Sequence, residues 1–148
     1  MGDSSEFQNI IHPIFQVQKF AVLATFSSSQ PYSNLVAFAS TNDLKQILFV
    51  TNRNTRKFSN ILENNRVAML IDDRKNEQMD FNNAHAVTAI GAAREITGDE
   101  RNILSQIYLV KHPSRMEFLK IPESVLLSII VNEYIIAGFD KSQRFLNI

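Results

Sequence analysis

Thr55, Arg56 and Lys57 are three consecutive residues whose side chains could together hold an anion. They follow the apolar run Ile47-Leu48-Phe49-Val50 and the polar stretch Thr51-Asn52-Arg53-Asn54, so a strand should end and a helix begin here. Thr55 is suited to cap that helix, whose first unpaired N–H groups and positive dipole end attract negative charge. Arg56 adds a planar fork of donors and Lys57 a point charge. Two cations in a first helical turn oppose the helix dipole, a mild cost that a phosphate-bearing ligand would relieve. The same three residues also read as a plain cap followed by two solvated charges, and the run alone does not separate these readings.

The remaining reactive side chains form weaker patterns. His12, His85 and His112 are too scattered to make a metal site by spacing. His112 precedes Pro113 and reads as a helix stop, where a cationic imidazole suits the C-terminal dipole. His85 reads as a surface or structural residue, with proton transfer beside a ligand as the alternative. Asp72, Asp73, Glu77 and Asp80 are interleaved with Arg74 and Lys75 and lack calcium-loop spacing, which describes a solvated loop. No metal is expected, and no catalytic residue can be singled out. Gly-rich phosphate loops and the G-x-S-x-G elbow are missing, so Rossmann, P-loop and serine-hydrolase chemistry falls away.

Composition narrows the partners. Fifteen basic and fifteen acidic residues in 148 balance to zero, and Arg53, Arg56, Lys57 and Arg66 lack aromatic interleaving, so nucleic acid is not an expected partner. The 45% apolar and 20% charged content is that of a globular chain expected to form one domain over 1–148. The polar start Met1-Gly2-Asp3-Ser4-Ser5-Glu6 is unlike a signal peptide, no apolar run reaches membrane-spanning length, and there is no cysteine. A cytoplasmic location is the expectation. Eleven Phe with no net charge favour aromatic packing and self-association.

The elements that must position the cations follow from pattern. Residues 6–18 carry Phe7, Ile10, Ile11, Ile14 and Phe15 at helical spacing, with a disturbance expected at Pro13. Strands are expected over 20–26, 32–40, 45–51 and 67–71, the first two joined as a hairpin, with a helix over 54–64 between the last two. A polar loop over 72–83 leads to a long strand over 84–96, bent or bulged at Gly91. A helix over 100–111, stopped at His112-Pro113, precedes a short segment with Met116, Phe118 and Leu119, then two closing strands over 125–131 and 134–139. Six or seven short strands with so little helix between them predict a mainly β, antiparallel six-stranded barrel with flanking helices.

In order along the chain stand Phe20-Ala21-Val22-Leu23-Ala24-Thr25, Gln30-Pro31-Tyr32, Leu48-Phe49-Val50-Thr51-Asn52, Thr55-Arg56-Lys57 and Asn64-Asn65-Arg66-Val67-Ala68-Met69-Leu70-Ile71. This series resembles the pyridoxamine 5′-phosphate oxidase-like family of FMN-binding split barrels. The resemblance implies a homodimer with FMN at its interface, the phosphate held by Arg56 and Lys57 with the Thr55 and Thr51 hydroxyls nearby. It also implies that Asn34, Leu35, Val36 and Ala37 run beside the flavin ring or ribityl chain, and that a small organic molecule is the substrate of a flavin-dependent oxidoreductase. Members that oxidise pyridoxamine phosphate carry Arg at the position of Asn34, Lys at that of Ala39, Gln at that of Ala86, and a His in the terminal segment. The tail Asp140-Lys141-Ser142-Gln143-Arg144-Phe145 has none, so that particular activity is not expected. A non-enzymatic flavin or haem carrier or sensor on the same barrel is the alternative.

Overall fold

A computed structural model describes residues 4–146; the polar start at 1–3 lies outside the described residues. Seven strands lie in the order β3-β2-β1-β4-β5-β6-β7, and an additional β3–β6 pairing closes the first six into an antiparallel barrel. The strands are β1 (Phe20–Ser27), β2 (Gln30–Ser40), β3 (Gln46–Asn52), β4 (Arg66–Asp72), β5 (Ala86–Ile96), β6 (Ser124–Ala137) and β7 (Ser142–Leu146). Around them lie α1 (Ser4–Val17), α2 (Arg56–Glu63), α3 (Asp80–Asn83), α4 (Gly98–Lys111) and α5 (Met116–Lys120). The split barrel with flanking helices expected above is therefore the observed architecture. Among the described residues no helix is long and apolar enough to cross a membrane.

The barrel interior is filled from the alternate residues of its strands and plugged by α1 through Phe7, Ile11, Ile14 and Phe15. α1 runs unbroken through Pro13, contrary to the expected disturbance, because its apolar face is anchored in the core on both sides of the proline. A second, smaller cluster lies outside the barrel, where Leu104 and Tyr108 of α4 cover Leu48, Val50, Leu126 and Ile96. Apolar residues on both faces of β3 explain its uninterrupted hydrophobic run.

β1 and β2 turn over at Ser28 and Ser29, both at positive φ (51° and 61°), the geometry of a two-residue hairpin that follows the strand twist. The bulge expected at Gly91 is present: pairing steps from Ile90–Glu133 to Gly91–Val131, skipping Asn132. A Cβ at Gly91 would stand 2.0 Å from the Ile130 carbonyl oxygen, so the close approach requires glycine. Two expectations are corrected. The closing strands over 125–131 and 134–139 are one strand, β6, because the polar Asn132 sits in the bulge rather than in a turn. The tail forms β7, paired with the end of β6 and burying Phe145 beside Phe7. The loop over 72–83 contains the short helix α3 and is organised by the Asp80 carboxylate, which accepts the backbone N–H groups of Lys75, Asn76 and Glu77.

Beyond Ala39, which packs under α4, no described helix covers the outer surface of β2, β1 and β4 around Val22. Leu35, Val22 and Leu70 stand side by side there in register, with Phe20 beyond them. Leu35 is 72% exposed, Phe20 64% and Leu70 37%.

Candidate functional site

α2 begins where β3 ends, at the turn Asn52–Thr55. The Asn52 side chain accepts the Asn54 N–H at 2.8 Å and its carbonyl accepts the Thr55 hydroxyl at 2.9 Å. Thr55 is the N-cap, its Oγ1 accepting the Phe58 N–H at 3.4 Å, and the Ser59 N–H makes the first helical bond to the Thr55 carbonyl. Buried Thr51 lies 3.1 Å from Thr55, hydroxyl to hydroxyl. Since the Thr55 proton is committed to Asn52, Thr51 is the donor of that bond. Both hydroxyl protons are therefore used inside the turn, while the N–H groups of Arg56 and Lys57 at the helix start have no intrahelical partner.

The two cations lie over the inward row of β2. Tyr32 and Asn34 alternate with Val36 on that row, paired with Thr25, Leu23 and Ala21 of β1. The Arg56 guanidinium sits 4.4 Å from the centroid of the Tyr32 ring. Oriented to satisfy its neighbours, the Asn34 amide donates to the Leu23 carbonyl at 3.3 Å and accepts from Lys57 Nζ at 3.2 Å. Beneath them buried Asn60 donates to Thr25 Oγ1 at 3.0 Å and fixes α2 on β1. Burial alone pushes the Lys57 ammonium below its ordinary pKa. Arg53, nearby in sequence, is neutralised by a two-point contact to Glu95 at 3.0 and 3.3 Å. Among the described residues no carboxylate forms an ion pair with Arg56 or Lys57. Their shared surroundings are an aromatic face, an amide oxygen and a helix N-terminus.

Beside these cations the barrel is split. β3 pairs with β2 only over Phe38–Ser40, while β1 pairs along all of β2 from Gln30 to Ala37. Residues 32–36 thus have a strand on one side and, among the described residues, none on the other. The Phe38 N–H donates to the Lys19 carbonyl. By antiparallel alternation Asn34 and Val36 direct their backbone groups at β1, and Ser33 and Leu35 direct theirs at the open edge.

The eight residues singled out from the sequence divide accordingly. Thr51, Thr55, Arg56, Lys57 and Asn34 converge at the start of α2. Val36 is buried in the barrel core, and Leu35 and Ala37 point to the outer surface. Sequence reasoning missed Tyr32, although it shares the inward parity of Asn34. The histidines lie elsewhere. His112 is buried at the end of α4 with Nε2 2.7 Å from the Phe38 carbonyl, and burial lowers its pKa, so it is a neutral donor rather than the cationic cap expected. His85 lies at the far end of β4 from α2, and its backbone N–H donates to the Asp73 carboxylate at 2.6 Å.

Comparison with known proteins agrees with the fold. The profile of the family described as Pyridoxamine 5′-phosphate oxidase matches residues 8–129. No curated protein matches the sequence. Among solved structures, a heme binding protein from Mycobacterium smegmatis superposes with a TM-score of 0.82 at 14% identity, over 99% of this chain and 59% of that one. This chain therefore spans less than two thirds of that protein. General Stress Protein 26 from Bacillus anthracis superposes at 0.71 with 20% identity, over 95% and 99% of the two chains. A FAD-binding protein from Mesorhizobium loti superposes at 0.67 with 13% identity, over 89% of each. At such identities these likenesses establish the shared fold, and with the profile match they lead to one assignment: the chain belongs to the pyridoxamine 5′-phosphate oxidase family.

Proposed function

We propose that the chain is the protomer of a homodimeric FMN-binding protein, a flavin-dependent oxidoreductase acting on a small organic molecule. The observation that carries this reading is the pair Arg56–Lys57: two cations at a helix N-terminus, without a carboxylate partner among the described residues, beside an open strand edge. In this reading the Arg56 guanidinium, the Lys57 ammonium and the first-turn N–H groups hold the FMN phosphate. Thr55 and Thr51 shape the turn rather than donate to the ligand, and the Asn34 amide keeps Lys57 in place. Backbone groups of Ser33 and Leu35 at the open edge orient the ring, with Asn34, Val36 and Ala37 flanking it. When bound, the flavin supplies the hydride or electron transfer; the chain binds it, orients it and excludes water.

The uncovered outer face supports the dimer. A contiguous row of exposed Leu35 and Leu70 flanking half-buried Val22, beside exposed Phe20, is what a second copy of the same chain would bury. Oxidation of pyridoxamine phosphate is not part of the proposal. By the family resemblance, Asn34 and the buried Ala39 stand where that activity has cations.

Fluorescence titration with FMN, followed by reduction with NAD(P)H and reoxidation by an added acceptor, tests the reading. Binding with turnover is expected; binding that never turns over would make the protein a carrier, and absence of binding would refute the flavin site. The similarity to a heme binding protein favours haem carriage as the second reading. A Soret band on adding haem, undiminished by FMN, would establish it instead.

A further inference from the structure

At the end of β2 away from α2, a cleft of about 420 Å³ opens between α1 and α4. Phe15, Ala39, Ile107 and Val110 supply apolar wall, and Lys111 reaches in from the last turn of α4. Lys111 Nζ donates to the Phe15 carbonyl at 2.7 Å and stands 3.7 Å from the centroid of the Phe38 ring. Both partners favour a cation, yet neither carries charge. Among the described residues no carboxylate forms an ion pair with Lys111. Burial alone lowers its pKa to about 8. The cleft thus joins an apolar wall to a half-buried cation with no counter-ion among the described residues. That combination attracts an anion and gives its body somewhere dry to lie.

We propose that this cleft binds a small organic monocarboxylate, its carboxylate on Lys111 and its apolar body against Phe15, Ile107 and Val110. A single ammonium matches a single negative charge, and the other polar side chains lining the cleft, His12, Gln16, Ser40 and Asn42, include no second lysine or arginine to meet a phosphate dianion. The volume is at the small end of the range for ligand pockets. Asn34 and Ser40 are six residues apart on β2, which separates this cleft from the start of α2 by about 20 Å. It is therefore a second site, and its existence does not depend on flavin binding.

The test uses two probes of one shape, 4-phenylbutanoate and 4-phenylbutan-1-ol, titrated while backbone amide shifts are followed by NMR. The carboxylate is expected to bind at least tenfold more tightly than the alcohol, with shifts concentrated in α1, the end of β2 and the last turns of α4. Lys111→Gln should erase the preference. Ile107→Trp, which fills the cleft while retaining Lys111, should abolish binding of both probes, and decides alone if Lys111→Gln does not fold. Equal affinity for the two probes in the unaltered chain would overturn the proposal. So would shifts mapping to the outer face of β1 and β2, a preference that survives Lys111→Gln, or no saturable binding at roughly ten millimolar.

Discussion

Replacing Leu35 with Glu should dissolve the proposed homodimer while sparing the fold. In the isolated protomer Leu35 is 72% exposed on the outer face of β2, next to Val22 and, through it, Leu70. Complete burial of a leucine side chain stabilises by about 1.5–3 kcal/mol. Covering that exposed fraction would therefore contribute about 1–2 kcal/mol per protomer, and two-fold symmetry doubles it to about 2–4 kcal/mol. Glu loses this and forces two carboxylates towards an apolar interface, at a further cost of several kcal/mol per ion. Together these predict a dimer weakened at least ~1,000-fold. The monomeric barrel should tolerate the change, because a solvent-facing strand position spans only about 1 kcal/mol in propensity. Sedimentation velocity across protein concentration, with circular dichroism melts as control, provides the assay. A sedimentation mass that stays at two chains with unaltered concentration dependence would show that another surface mediates assembly.

Gly91→Ala should destabilise the chain by ~3 kcal/mol or more, read by chemical denaturation, because the new Cβ meets the Ile130 backbone oxygen at 2.0 Å in the β5–β6 seam. A Gly91→Ala variant as stable as the unaltered chain would contradict the bulge geometry. Two buried tyrosines should respond differently to loss of their hydroxyls in the same denaturation assay. Tyr134→Phe strips the Leu44 carbonyl of a 2.8 Å donor and should cost about 1–3 kcal/mol, whereas Tyr108→Phe removes a hydroxyl that faces the Arg115 guanidinium without a well-formed hydrogen bond and should cost less. Lys111 makes stability depend on pH. Its pKa is about 8 in the fold against 10.5 for an ordinary lysine, so the unfolded chain holds the extra proton between these values and stability rises with pH across that window. Lys111→Met should flatten this rise in denaturation curves taken from pH 7 to 10; an unchanged slope would show that Lys111 is not the group responsible.

Much of the barrel was legible because its central strands are apolar runs punctuated by turn residues. Ser28-Ser29, Asn64-Asn65 and Gly91 each marked a local event that the backbone carries out. Asn132 misled, since a polar residue inside an apolar run reads as a turn until its bulge opposite Gly91 is known. β7 was invisible because it opens with three polar residues, Ser142, Gln143 and Arg144, which leave no alternation by which a strand is recognised. At the candidate site, the helix cap and its two cations could be read from adjacent residues. The contact between Lys57 and Asn34 could not, since it joins positions brought together by the β1–β2 register and the docking of α2. The open edge of β2 likewise depends on where β3 stops pairing, which no local pattern announces. The exposed row around Leu35 reflects which sheet face the helices leave bare, a property of tertiary packing alone.

The central claim is that Arg56 and Lys57 hold a flavin phosphate, and the most direct measurement compares FMN with riboflavin by fluorescence titration, on the unaltered chain and on an Arg56→Ala/Lys57→Ala variant. The account predicts that the unaltered chain prefers FMN and that the variant loses about 2–4 kcal/mol of FMN binding while riboflavin affinity barely moves. Equal affinity for the two flavins, or FMN binding indifferent to the loss of both cations, would contradict it.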